Sequence, residues 1–244
     1  MGDDGAVGRP NPAPAFDFSN LSARPPGRFI AVTRRLLRGV GTVQDQIAPY
    51  AEAWRTSNAA ALQSEGPLWV ALGDSMSQGI GASSWQAGWL LQAAARVRKD
   101  GQPFRIVNLS ISGARVRDVI DRQVPALNTL GTAPDLVTVL VGANDVGTRR
   151  SRAELPGSFT RMLGLLPDGS VVATMPQPLR AARAVNELIV RASAERQMVV
   201  AETKVPPWGW RGRLAEDHFH PNDLGYAAIA DTFVEAITAR SNGE

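Results

Sequence analysis

Five short apolar runs, each followed by a stretch of helical periodicity, constrain this chain more than any other feature of its sequence. The runs lie at 68–72, 105–109, 135–141, 170–174 and 198–201. The third, DLVTVLV, is apolar or β-branched nearly throughout, the composition of a strand buried on both faces. Helical patterns fill the intervals, near 86–98, 116–130, 153–166 and 181–196, and a last one covers about 222–239. Strands that alternate with helices imply a parallel sheet with helices packed on both of its faces. The expected fold class is therefore α/β, a three-layer α/β/α sandwich on a five-stranded parallel sheet. In such sheets ligands bind at the carboxyl ends of the strands, so the residues just after each run are the ones to inspect.

Upstream of the first run the pattern differs. Residues 1–27 are rich in Pro, Gly and Ala, and read as flexible chain or as chain draped over the domain. From 28 to about 63 the sequence is helical, with Phe29, Val32, Leu36, Val40 and Val43 at three- and four-residue steps. Gly39 and Gly41 are expected to break or bend that helix. The expected organisation is a flexible segment 1–27, a helical extension 28–65 packed on the domain, and the α/β domain over 66–244.

Composition narrows the function classes. The chain has no cysteine, which excludes disulfides, thiol nucleophiles and thiolate metal sites and fits a cytoplasmic location. Acids and bases interleave around a net charge of +3, without the concentrated basic face of a nucleic-acid binder. No segment approaches the ~18–20 uninterrupted apolar residues of a membrane span. Residues 1–14 carry acids, Gly and Pro rather than the basic and then apolar pattern of a secretory leader. The stretch 28–40, with Arg34, Arg35 and Arg38, is basic and amphipathic. It could rest on an anionic membrane or a partner, but packing its apolar face on the domain is the simpler expectation. Oligomeric state is not legible.

Four short blocks follow strand runs or precede the last helix. Gly73-Asp74-Ser75-Met76-Ser77 leaves the first run. A serine in a sharp turn there suits a nucleophile, although Gly-Asp-Ser is also an ordinary turn. Ser110-Ile111-Ser112-Gly113-Ala114 leaves the second, where a glycine lets a backbone N–H approach an oxyanion. Gly142-Ala143-Asn144-Asp145 leaves the third. Asn144 could donate its amide to the same oxyanion, or Asn144 or Asp145 could cap the next helix. Asp217-His218-Phe219-His220-Pro221-Asn222 holds both histidines of the chain. Asp217 and His220, three apart, can place a carboxylate beside an imidazole within one turn, as a general base requires. A surface loop with solvated histidines is the plain alternative. A metal site at His218 and His220 is weaker still, because no second ligand cluster accompanies it. Asp74 diverges from its neighbour on the turn and reads as a hydrogen-bonder of that turn.

Taken together, the four blocks resemble the GDSL/SGNH hydrolase family, and the resemblance runs from about Leu68 to Ala239. It implies a flavodoxin-like SGNH hydrolase fold and a cofactor-free, metal-free serine esterase or lipase acting on a small-molecule ester or acyl substrate. On that resemblance Ser75 is the nucleophile, His220 the base and Asp217 its orienting acid. The Ser75 N–H, the Gly113 N–H and the Asn144 amide form the oxyanion hole. Met76 stands where the motif has Leu, a volume-conserving exchange. An acyltransferase using the same site, with an alcohol or sugar in place of water, is the alternative, and an inactive binding module is a third. Trp208 and Trp210, in a Pro/Gly-rich stretch before Asp217, are candidates for a substrate pocket. For Trp85 and Trp89 both pocket and core are open, with core preferred for Trp89.

Overall fold

The structure is a computed structural model that describes residues 16–22, 38–203 and 209–241. Its strands are β1 (Leu68–Gly73), β2 (Arg105–Asn108), β3 (Leu136–Leu140), β4 (Val171–Ala173) and β5 (Val199–Ala201). They pair in the order β2-β1-β3-β4-β5, every pair parallel, so each expected run carries one strand of the expected sheet. The helices are α1 (Arg38–Asp45), α2 (Ile47–Gln63), α3 (Ser75–Gln78), α4 (Trp89–Ala94), α5 (Val116–Asp118), α6 (Val124–Asn128), α7 (Arg149–Leu165), α8 (Arg180–Arg196) and α9 (Asp223–Ser241). None of the described helices is long and apolar enough to cross a membrane.

Side-chain alternation along β1 makes the three layers. Leu68, Val70 and Leu72 enter one apolar cluster with Val107, Val139 and Val172, which α7 and α8 cover with Phe159, Val185 and Ile189. Trp69 and Ala71 enter a second cluster with Ile106, Leu140 and Ala173, beneath α4 and α9. There Trp89 lies flat on Phe233, ring centroids 3.9 Å apart and both side chains buried. Trp89 is thus a core residue. Trp85 meets Trp54 edge-on at 4.8 Å.

Two local expectations are corrected. Gly39 and Gly41 do not break a helix; both lie inside α1, and the break falls at Gln46. A side chain at Gly39 would strike the Glu216 carbonyl, so close backbone approach explains that glycine. The helix expected from 153 starts at Arg149, because Thr148 Oγ1 accepts the Ser151 N–H at 3.1 Å and caps it. The helical turns expected over 116–130 are present over 116–128, with a wider turn in the middle where the Val124 N–H reaches back five residues to the Val119 carbonyl. The basic helix expected over 28–40 lies, for residues 28–37, outside the described residues, as does Trp208.

Within the segment expected to be flexible or draped over the domain, residues 16–22 lie against the domain. Phe18 joins the first cluster, Asn20 is 1% exposed, and the Arg122 guanidinium donates to the Leu21 carbonyl at 3.4 Å. Two aromatic anchors, Phe16 and Phe18, stack at 6.3 Å and hold the segment against the domain.

Candidate active site

β1 ends at Gly73, whose φ is +152°. A Cβ there would strike the Leu140 carbonyl of the neighbouring strand, so only glycine lets the chain turn out of the sheet here. Gln123, in the helical stretch after β2, clamps this point. Its Oε1 accepts the Gly73 N–H and its Nε2 donates to the Gly73 carbonyl, both at 2.8 Å. Asp74 then caps the single turn of α3, accepting the Met76 N–H on Oδ1 at 3.0 Å. Gly79, at φ +84°, ends the turn. Ser75 is the first residue of α3 and is 4% exposed.

The partner of Ser75 comes from the turn before α9. Asp217 Oδ1 accepts the N–H groups of Phe219 and His220, each at 3.0 Å, which folds the segment into a tight loop. His218 takes up the strain at φ +55° and stays exposed. The loop sets Asp217 Oδ2 at 2.6 Å from His220 Nδ1, while His220 Nε2 lies 2.9 Å from Ser75 Oγ. The structure therefore brings Ser75, His220 and Asp217 into one hydrogen-bonded row. Gly81 makes room for it, since a Cβ there would lie 2.7 Å from His220 Cβ. Both ring nitrogens of His220 are engaged inside the row. Among the described residues no group of three or more His, Asp or Glu is placed to hold a metal ion.

Electrostatics separate the two acids. Burial pushes the Asp217 carboxyl up, but the His220 hydrogen bond and charge and the two backbone N–H groups outweigh it, and it sits below the ordinary range. Asp217 therefore stays ionised, as an orienting carboxylate should. Asp74 goes the other way. Burial without a second partner pushes it up to about 7, against the Met76 N–H and the His220 charge and with a small push from Asp145. Its Oδ2 has no hydrogen-bond partner.

The loops after β2 and β3 stand beside this row at the carboxyl edge of the sheet. Gly113 turns at φ +74°. Asn144 is half-buried, and its Nδ2 donates one hydrogen to the Ala114 carbonyl at 2.9 Å, tying the two loops together. A primary amide has two such hydrogens, so one remains for an incoming oxygen. Neither residue of this loop caps α7, since that cap is Thr148; Asp145 instead accepts the Val116 N–H at 3.1 Å, at the start of α5. Trp210 is half-buried against the second apolar cluster.

Sequence reasoning missed two kinds of residue. Phe219, 55% exposed, stands edge-on to the His220 ring at 4.9 Å. The amides Gln78, Asn108 and Gln123 brace α3 and the strand ends, and nothing in their spacing announces it.

Comparison with known proteins follows the same lines. Residues 71–228 match the model of the GDSL-like Lipase/Acylhydrolase family. The chain is 30% identical over 189 residues to the GDSL-like esterase Rv1075c of Mycobacterium tuberculosis (strain ATCC 25618 / H37Rv), an alignment covering 68% of this chain and 60% of that relative's length. Among solved structures, TesA shares the fold with a TM-score of 0.57 at 20% identity, covering 71% of this chain and 99% of TesA. The psychrotrophic esterase EstA from Pseudoalteromonas sp. shares it at 0.56 and 18% identity, covering 72% and 100%.

Proposed function

The chain belongs to the GDSL-like lipase/acylhydrolase family, and from that membership we propose a serine hydrolase that cleaves carboxylic esters through an acyl-enzyme on Ser75. The observation that carries the reading is the unbroken row Asp217 Oδ2–His220 Nδ1–His220 Nε2–Ser75 Oγ, at 2.6 and 2.9 Å. Asp217 holds the proton of His220 on Nδ1, which leaves Nε2 to take the Ser75 proton as Oγ attacks the ester carbonyl. The tetrahedral oxygen then faces the Ser75 N–H, the Gly113 N–H and the second hydrogen of the Asn144 amide. His220 returns its proton to the leaving alcohol, the acyl group stays on Ser75, and a water activated by the same imidazole releases it. Every step is supplied by side chains and backbone, so the reading needs no cofactor.

The test is a chain-length series of p-nitrophenyl esters with a fluorophosphonate label. Wild type should hydrolyse at least the short members and be labelled on Ser75, and Ser75→Ala should lose both. Undiminished labelling or turnover in Ser75→Ala would refute the assignment.

A further inference from the structure

Among the described residues β2 is an edge strand that pairs only with β1. Backbone groups of residues 108 and 110 that face outward there need partners from elsewhere. Two side-chain amides supply them. Asn58 of α2 meets Asn108 much as a neighbouring strand would. Its Oδ1 accepts the Asn108 N–H at 2.7 Å, and its Nδ2 donates to the Asn108 carbonyl at 2.9 Å. Asn20, from the N-terminal segment, donates Nδ2 to the carbonyls of Asn108 and Ser110, both at 2.8 Å.

The same network holds the helix that carries Ser75. Gln78 ends α3, and its Nε2 donates to the Asn20 carbonyl at 2.7 Å and the Ser110 carbonyl at 3.0 Å. Asn108 closes the circuit, donating to the Ser77 carbonyl at 2.8 Å and accepting the Ser110 N–H at 3.0 Å. Trp54 Nε1–H adds a bond to the Gln78 carbonyl at 3.0 Å. The four amides are almost inaccessible, with Asn20 1% exposed, Asn58 2%, and Gln78 and Asn108 0%. A helix of one turn cannot fix its own position by its internal hydrogen bonds. α3 is placed by what it is tied to.

What it is tied to bears on the chemistry. On one side of the network lies the turn that presents the Ser75 Oγ and N–H. On the other, Ser110 leads within three residues to Gly113. In the reading given above, the N–H groups of Ser75 and Gly113 must converge on one oxygen at about 3 Å, and such donors work only when held within about 0.5 Å. Asn20 and Asn58 both lie outside residues 71–228, the part that matches the family. We infer that Asn20 and Asn58 are positioning residues of this hydrolase, holding α3 and the Gly113 turn in register so that the N-terminal extension completes the catalytic apparatus. They touch no substrate; they act through Gln78, Asn108 and Ser110. The inference rests on the proposed roles of Ser75 and Gly113.

The experiment uses the full chain, with Asn20→Ala, Asn58→Ala and Asn20→Ser beside wild type. Turnover of p-nitrophenyl acetate and amide hydrogen exchange by mass spectrometry are measured on the same preparations. Both alanine variants should lose between about tenfold and a hundredfold in kcat, the scale of a small misplacement of reacting groups, with KM nearly unchanged. Exchange should quicken in 74–79 and 109–114 while 180–196 keeps its protection. Asn20→Ser keeps a donor and should fall between wild type and Asn20→Ala. It also decides the matter if the alanine variant does not fold. A kcat close to wild type in the folded variants, or exchange that quickens equally along the whole chain, overturns the inference. Should wild type hydrolyse no ester at all, the proposed function fails, and the exchange pattern alone still decides for or against the positioning role.

Discussion

Replacing Asp74 with Asn tests the electrostatics of the turn that carries Ser75. The Asp74 carboxyl is 0% exposed, keeps one hydrogen bond and is pushed up to about 7 from an ordinary 3.8. The sign follows from proton linkage. Below the unfolded value both states are protonated, and the buried carboxylic acid costs nothing further. Between about 3.8 and about 7 the folded state keeps a proton that the unfolded chain releases, so each rise in pH favours unfolding. Above about 7 that loss is complete. At 1.36 kcal/mol per pH unit, the interval between the two values amounts to about 4 kcal/mol. Asn mimics the protonated acid and still offers Oδ1 to the Met76 N–H, so it caps α3 about as well. Urea unfolding of both proteins across pH 4 to 8.5 reads the difference. Near pH 4 the two should be about equally stable, and by pH 8.5 Asp74→Asn should be the more stable by a few kcal/mol. Other carboxylates titrate in both proteins, so they cancel in the comparison. A difference that stays flat across the range, or a variant weaker at pH 8.5, would show that the ionised carboxylate is well solvated or paired, and the argument from burial would fall.

Four further outcomes are expected. Asn144→Ala should lose on the order of 10²–10³ in kcat with little change in KM, the cost of one oxyanion donor, and Asn144→Asp should do no better, since a carboxylate repels the oxyanion; steady-state kinetics check both, and a near-wild-type kcat for the Asp variant removes Asn144 from the site. Asp217→Asn should lower kcat by up to about 10⁴ by releasing the imidazole from the required tautomer, and should remove the acid-side stability that the depressed Asp217 carboxyl supplies above the unfolded value and loses as pH falls through the folded one. Phe219→Ala should raise KM for aryl esters and leave kcat largely alone, because the ring is exposed beside His220 and the hydrogen-bonded row does not depend on it; an unchanged KM would make it a bystander. Phe18→Ala should cost about 3 kcal/mol in urea unfolding, the price of emptying a core position, whereas loose chain at 16–22 would show almost none.

What the sequence discloses and what it hides divide along a physical line. The strands were legible because burial on both faces forces unbroken apolar runs, as in 135–141. The row of Ser75, Asp217 and His220 was legible because each member sits in a local turn with its own chemistry: Gly73-Asp74-Ser75 leaving a strand, and Asp217 three residues before His220. Gly39 misled because a glycine reads the same whether it loosens a helix or admits another backbone, here that of Glu216. The start of α7 was hidden because Arg149, Arg150 and Arg152 carry no apolar period, while the Thr148 cap used a serine in place of the usual Glu or Gln. Asn20, Asn58, Gln78 and Asn108 were hidden for a deeper reason. Asn20 lies 88 residues from Asn108, and Asn58 lies 50 away. An amide that stands in for a missing strand need obey no periodicity, because what recruits it is an unpaired backbone edge that exists only after the sheet has formed. In Pro/Gly/Ala-rich chain such as 1–27, composition measures how little apolar area can be buried. It is blind to a single Phe18 that enters the core and a single Asn20 that bonds both the edge strand and the turn carrying Ser75. Motif blocks therefore locate the hydrogen-bonded row of Ser75, His220 and Asp217, while the amides that tie its serine turn to β2 come from distant parts of the chain.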